Sequence, residues 1–294
     1  MLTKQRALFL VNRYARRGQQ NLKLAVRLLK DMGFILIEPE IELGTALSDV
    51  IRQYKGQVEL VIIGGGDGTL NACVEGLVET DLPLGILPLG TANDLARTLG
   101  IPATIADACR VIGARHVTAI DLGWVNGKYF FNVASLGLSV DITEHLTKEA
   151  KRRWGVLAYG VAALKALWKT RLFNAEIRCG DRLELVKTIQ IAVGNGRYYG
   201  GGLAVADDAA ITDERLDLYS LEINRWWQLL KLLPALYRGN HHMLPFVHSQ
   251  QGSEFFVHTR KPLPINTDGE ITSETPAHFK VVPKALLVLM PEDL

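Results

Sequence analysis

Short apolar runs alternate with amphipathic stretches over roughly the first 115 residues of the chain. Ala7–Val11 (ALFLV) has no polar member and predicts a buried strand. In NLKLAVRLLKDMG, the residues Leu22, Ala25, Val26 and Leu29 recur at helical spacing on one face, and Gly33 is placed to stop the helix. FILIE predicts a second strand, and Thr45 is placed to cap a helix carrying Leu47, Val50, Ile51 and Tyr54. ELVII is a third strand, Leu70 to about Val78 a third helix, and LGIL a fourth strand. Strand–helix alternation of this kind implies a mostly parallel sheet covered by helices, a Rossmann-like α/β domain.

The pattern changes near Val117. Strands then follow one another closely, with hairpin signals between them. AIDLGWVNGKYFFNVA places Asn126-Gly127 between two apolar arms, the signature of a type I′ turn. NAEIRCGDRLELVKTIQIAV repeats the theme around Gly180-Asp181, and LDLYSLEI, EFFVHT and HFKVVP are further strands. Helices are expected near Val140–Lys169 and Arg225–Arg238. We therefore expect an α/β domain over residues 1–122, a mostly antiparallel β-sandwich over 123–294, and an active site in the cleft between them.

The length of 294 residues allows a large core, and 48% hydrophobic with 22% charged residues fits an ordinary globular chain. A net charge of +2 makes no case for nucleic acid as a partner. Cys73, Cys109 and Cys179 are far apart, which argues against a zinc site or a disulfide framework and suits a reducing cytoplasm. His241-His242 reads as a polar loop. The N-terminal apolar stretch is too short for a signal peptide, and no segment approaches the roughly 20 apolar residues that span a bilayer. Any membrane contact is then expected to be peripheral.

LVIIGGGDGTLNA (Leu60–Ala72) sets four glycines around an aspartate directly after a strand. The Walker A pattern is absent because no lysine follows the glycines. The dinucleotide pattern G-x-G-x-x-G fails because its last position falls on Thr69 or Asn71. What remains is a backbone-rich turn into a helix start, whose N–H groups hold phosphate oxygens. Asp67 would repel phosphate unless a divalent cation lies between them, so the loop implies a magnesium–nucleotide complex. Thr69 and Asn71 add hydroxyl and amide groups. LPLGTANDLAR repeats the device on the next strand, with Gly90 for close approach and Thr91 either as a ligand donor or as a helix cap.

GGGDGTLN, LPLGTANDLAR, GNGRYYGGGLAVADDA, TDERLDL and PLPINTDGE stand in one order, closed by TPAHFKVVPKALLVLMP. Together they resemble the bacterial diacylglycerol kinase-like lipid kinases, whose wider family includes eukaryotic diacylglycerol and sphingosine kinases. The resemblance implies ATP and Mg2+ as cofactors and a lipid acceptor at the membrane surface. It also implies that Asn12, Gly65, Gly66, Asp67, Gly68, Thr69, Leu70, Asn71 and Thr91 bind the nucleotide, and that Asp268-Gly269-Glu270 supplies the catalytic base, with Asp67 completing the catalytic set. The family's proline turn after the first strand is altered here to NRYARRG. A second, structural Mg2+ is implied at Asp213 with the carbonyls of Ala210 and Arg215, although Glu214 stands where the family has glycine.

The chemistry asked of the residues agrees. Phosphoryl transfer needs positioned reactants, neutralised charge and a proton acceptor. TDGE taken alone reads as an Asp-Gly hairpin turn; the resemblance makes Asp268 the base. Asn195 with the glycine run Gly200–Gly202 permits close packing, either against the nucleotide domain or against a lipid headgroup. Lys148–Lys169 and Asn224–Gly239 place Lys, Arg and Trp around apolar middles, which suits a bilayer's headgroup boundary and equally suits amphipathic helices packed on the β domain. An NAD kinase shares a GGDGT loop but carries a T-G-S-T-A-Y-like segment absent here, and a 6-phosphofructokinase is disfavoured by the β-rich second half. A silent nucleotide- or lipid-binding regulator is disfavoured by the presence of both Asp67 and Asp268. The acceptor lipid, ATP against GTP, and monomer against homodimer stay open at this level.

Overall fold

The computed structural model describes residues 4–11, 18–42, 44–138, 140, 172–196, 198–199, 203–204, 210–223, 228 and 244–292. The chain divides into two compact units. The first comprises Met1–Leu122, Gly200–Gly202 and Val282–Leu294, and the second Gly123–Tyr199 and Leu203–Val281.

The first unit runs β1 (Gln5–Val11), α1 (Gly18–Asp31), β2 (Phe34–Ile37), α2 (Leu47–Gln53), β3 (Leu60–Gly65), α3 (Asp67–Asn71), α4 (Val74–Thr80), β4 (Leu84–Pro88), α5 (Asp94–Thr98) and α6 (Ile105–Ala114), then enters β5 (Val117–Val125). Its strands lie in the order β2-β1-β3-β4, all parallel. The central strands carry apolar residues on both faces, and both are buried: Ala7–Leu10 are at most 2% exposed, and all of β3 is buried. α1 packs with α6 and α2 with α4, so each amphipathic helix finds an apolar partner. The C-terminal end of the chain also joins this unit, because Val288 of β18 (Ala277–Leu289) pairs in parallel with Leu84.

Two local expectations change. The helix expected from Leu70 to about Val78 is two short helices, since Cys73 N–H bonds Leu70 O in a tightened turn and the Ser48 hydroxyl takes the Ala72 carbonyl at 2.9 Å. Thr45 does not cap α2; Ala46 holds that position with no side-chain bond to the helix.

The second unit is built from antiparallel strands. β6 (Lys128–Phe130) pairs with the end of β5 through Asn126 and Gly127, both at positive φ (45° and 93°), as a type I′ turn requires. One sheet has the order β14-β13-β10-β7-β16-β17, where β7 is Val133–Gly137, β10 Gln190–Gly194, β13 Leu216–Leu221, β14 Val247–Gly252, β16 Pro264–Thr267 and β17 Glu270–Glu274. The other strands of the unit are β8 (Phe173–Cys179), β9 (Arg182–Thr188) and β15 (Glu254–Thr259), which pair in the order β9-β8-β15 and then with the first part of β18. Alternate residues of the two layers, among them Leu136, Ile191, Val193 and Ile265 against Ile177, Phe255, Val257 and Phe279, make one buried core, the interior of a sandwich. β11 (Tyr198–Tyr199) and β12 (Leu203–Ala204) form a separate ribbon. The helices expected at Val140–Lys169 and Arg225–Arg238 fall almost wholly outside the described residues, as do Gly200–Gly202 and His241-His242. Among the described residues no helix is long and apolar enough to cross a membrane.

Candidate active site

The parallel strands deliver the two glycine turns to one end of the sheet. Val11 stands opposite Gly64, and Gly65 opposite Pro88, so β1, β3 and β4 finish nearly level. The order β2-β1-β3 reverses direction at β1, and in open parallel sheets ligands bind beyond the carboxyl ends of strands at such a reversal. Asn12, the expected nucleotide contact after β1, lies outside the described residues.

The turns after β3 and β4 are joined backbone to backbone. Leu89 and Gly90 N–H both donate to Gly65 O, at 2.9 and 3.2 Å. A Cβ built on Gly90 would stand 2.5 Å from Gly66 Cα, and one on Gly66 would stand 3.0 Å from Gly90 Cα, so no larger residue fits at Gly90 without separating the turns. Asn93, in the left-handed conformation at φ 51°, closes the second turn. Its Oδ1 accepts from Gly90 N–H at 2.9 Å and its Nδ2 donates to Gly90 O at 3.1 Å. The N-cap of α5 is therefore Asn93, and Thr91 is exposed and does not cap.

Asp67 opens α3, and its side chain crosses to the other turn, where Oδ1 accepts Leu95 N–H at the start of α5 (3.1 Å). The carboxylate is thereby oriented while half-exposed, and Oδ2 meets no donor among the described residues. Thr69 leans over Gly65, whose added Cβ would meet its Oγ1 at 2.6 Å, and Leu70 is buried. Leu70 thus anchors the loop from below, while Gly68 is exposed and Asn71 partly so. Such a site fits magnesium carried by a nucleotide, since that ion is held by one or two carboxylates plus phosphate oxygens and does not require an all-protein cage. Among the described residues no group of three His, Cys, Asp or Glu converges.

Asp268 and Glu270 belong to the second unit. TDGE is the β16–β17 hairpin turn, with Asp268 at φ 49° and Gly269 at φ 101°. The turn also does more than reverse the chain. Asp268 Oδ2 accepts Phe131 N–H at 2.6 Å, and Oδ1 accepts Asn132 and Val133 N–H at 3.0 and 3.1 Å, while Asp268 N–H donates to Val133 O at 3.0 Å. Three successive backbone donors thus hold one carboxylate, a device the hairpin signal alone did not reveal. Glu270 is exposed at the first position of β17. Asn266, two residues before Asp268, accepts Gly269 N–H at 2.8 Å and fixes the turn from inside.

The expected second metal position is a tight turn. Asp213 N–H donates to Ala210 O at 3.3 Å, Arg215 N–H donates to Asp213 Oδ1 at 3.1 Å, and the Arg215 guanidinium lies 3.4 Å from Oδ2. Glu214 adopts φ 59°, the left-handed conformation that glycine takes at least cost. With Arg215 beside it, the carboxylate faces a guanidinium, which a cation at this turn would have to displace.

Comparison with known proteins places this geometry. Residues 6–125 match the diacylglycerol kinase catalytic domain, and residues 132–290 match the YegS C-terminal NAD kinase beta sandwich-like domain. The chain is 33% identical over 282 residues to the "Probable lipid kinase YegS-like" of Klebsiella pneumoniae, covering 94% of this chain and 93% of that one. It is 28% identical over 255 residues to the diacylglycerol kinase of Staphylococcus saprophyticus, covering 86% and 84%. In fold it matches the crystal structure of a diacylglycerol kinase from Bacillus anthracis with a TM-score of 0.82, 24% identity and 98% of each chain covered. Two family domains in series, and relatives aligned nearly end to end, make this chain a member of the bacterial diacylglycerol kinase-like family of lipid kinases.

Proposed function

We propose that this protein transfers the γ-phosphate of Mg-ATP to the hydroxyl of a lipid alcohol, diacylglycerol, phosphatidylglycerol or a chemically related lipid. The observation that carries the proposal is the joined pair of turns. Gly66 and Gly90 approach within contact distance, so both turns present backbone, and Asp67 is the carboxylate oriented beside them. The backbone N–H groups at the start of α3, Gly66–Gly68, which have no partner within the helix, together with the side chains of Thr69, Thr91 and Asn12, would hold the nucleotide. Asp67 would hold Mg2+, directly or through water, and the ion when bound neutralises charge on the phosphates.

On the acceptor side Asp268 takes the hydroxyl proton, a contribution typically worth about 10²- to 10⁴-fold. Its three N–H donors fix the carboxylate in direction, as positioning a base against the acceptor hydroxyl requires. Glu270 supports the geometry of that turn. A lipid acceptor requires peripheral contact with a membrane. No step is assigned to Asp213.

The test is transfer of labelled γ-phosphate from Mg-ATP into a panel of lipid alcohols in mixed micelles, with NAD alongside because the second domain resembles that of NAD kinases. Label is expected in one lipid class and is expected to fall at least about 100-fold in Asp268→Asn. Label in NAD instead, or tight Mg-ATP binding with no transfer, overturns the proposal.

A further inference from the structure

Asn195 follows β10 in GNGRYYGGG, and neither nucleotide binding nor proton transfer accounts for it. It is 2% exposed. Its Nδ2 donates to Phe131 O at 2.9 Å, its N–H donates to Asn132 O at 2.8 Å, and Gly196 N–H donates to the same carbonyl at 3.2 Å. These are the carbonyls of the segment whose N–H groups, Phe131 to Val133, bind the Asp268 carboxylate. The segment is short, lies between β6 and β7, and has no ladder of its own at Phe131 and Asn132. Its direction is therefore set by what holds its carbonyls.

Gly196 shows how close that grip is. An added Cβ there would stand 2.6 Å from Asn132 Oδ1 and 3.3 Å from both Asn132 Cα and Phe131 O. The pair Asn-Gly is thus matched to the segment in both chemistry and size: an amide that bonds one carbonyl, two N–H groups on the next, and no side chain where the backbones meet. β16 approaches the same segment from the opposite side of β7, since β7 pairs with β10 on one edge and β16 on the other. The clamp and the carboxylate consequently act on opposite polar edges of one stretch of backbone.

We propose that Asn195 is a positioning residue for the Asp268 carboxylate, acting through the Phe131–Val133 backbone that it clamps. The inference rests on the assignment of Asp268 as the base in the reaction proposed above. It predicts that Asn195 matters to the chemical step and not to nucleotide binding, because the bonds of the clamp run to the Phe131 and Asn132 carbonyls.

The experiment uses the full chain as Asn195→Ala, Asn195→Asp, Asp268→Ala and the double variant Asn195→Ala/Asp268→Ala. Three quantities are read: kcat, KM for ATP, and hydrogen exchange of the Phe131–Val133 amides. Misplacing the base lowers kcat about 10- to 100-fold in Asn195→Ala, with KM for ATP unchanged. Asn195→Asp, equal in size but with an acceptor facing Phe131 O, is no better than alanine. Exchange at Phe131–Val133 quickens in Asn195→Ala and in Asp268→Ala. In the Asp268→Ala background the Asn195 change has no further effect on kcat, because residues that act as a unit are not additive.

Unchanged exchange and kcat in Asn195→Ala overturn the proposal, and so does a kcat loss of equal size in both backgrounds. Full activity in Asp268→Ala removes the base assignment instead; quicker exchange in Asn195→Ala then still upholds the clamp, and unchanged exchange overturns it. Where Asn195→Ala does not fold, Gly196→Ala presses on the same segment and is read in the same way.

Discussion

Gly90→Ala is the most direct test of the joined turns. The new Cβ would stand 2.5 Å from Gly66 Cα, 2.6 Å from Asn93 Oδ1 and 3.2 Å from Gly66 N. Two of those atoms are backbone and cannot rotate away, so the turns must part by about 1 Å to reach ordinary contact. Parting them strains the bonds from Leu89 and Gly90 N–H to Gly65 O, and the Gly90 N–H bond to Asn93 as well. Overpacking costs about 1–3 kcal/mol, and each bond weakened adds up to about 1 kcal/mol. A total near 3 kcal/mol lowers the melting temperature of the first unit by about 6–12 °C. Mg-ATP affinity falls further still, because the cradle is distorted where phosphate would lie. Gly66→Ala, whose Cβ meets Gly90 Cα at 3.0 Å, is the milder change and ranks between wild type and Gly90→Ala in both readouts. Calorimetric melting with isothermal titration of Mg-ATP measures both. A Gly90→Ala protein that melts within 1 °C of wild type and binds Mg-ATP equally well would refute the joined-turn account, as would the reverse ranking of the two variants.

Asp67 separates structure from charge: Asn keeps an oxygen for Leu95 N–H, so Asp67→Asn melts as wild type but loses Mg2+-dependent activity, whereas Asp67→Ala also loses about 1 kcal/mol of helix capping, seen in its melting curve. The Arg215 guanidinium beside Asp213 competes with any cation there, so added Mg2+ raises the melting temperature of Arg215→Ala more than that of wild type; equal shifts argue against that competition. Burial pushes the Cys73 thiol up to about 12 and the Cys109 thiol to about 11, so neither forms thiolate at pH 8, and Cys179, only partly buried, takes the first equivalent of a thiol reagent, with all three reacting in urea.

Much of this protein was legible from local chemistry. The strands Ala7–Val11 and Leu60–Ile63 are apolar without interruption because they are buried on both faces, and that pattern is readable before any partner is known. Asn126-Gly127 and Asp268-Gly269 announced turns because few residue pairs tolerate two positive φ angles. That the glycine loop lets backbone approach closely was legible because it lacks side chains, and Gly66 does lie against Gly90. What tertiary structure alone decided are relations between residues distant in the chain. The return of Val288 to pair with Leu84 joins the last strand to the first unit, and nothing in the apolar pattern of Ala277–Leu289 names its neighbour. Asp67 reaching Leu95, and Asn195 gripping the backbone that holds Asp268, are contacts across 28 and 64 residues or more. A side chain's type states what bonds it can make, but the fold determines which backbone groups arrive within 3 Å to make them, and with that which carboxylates are held still.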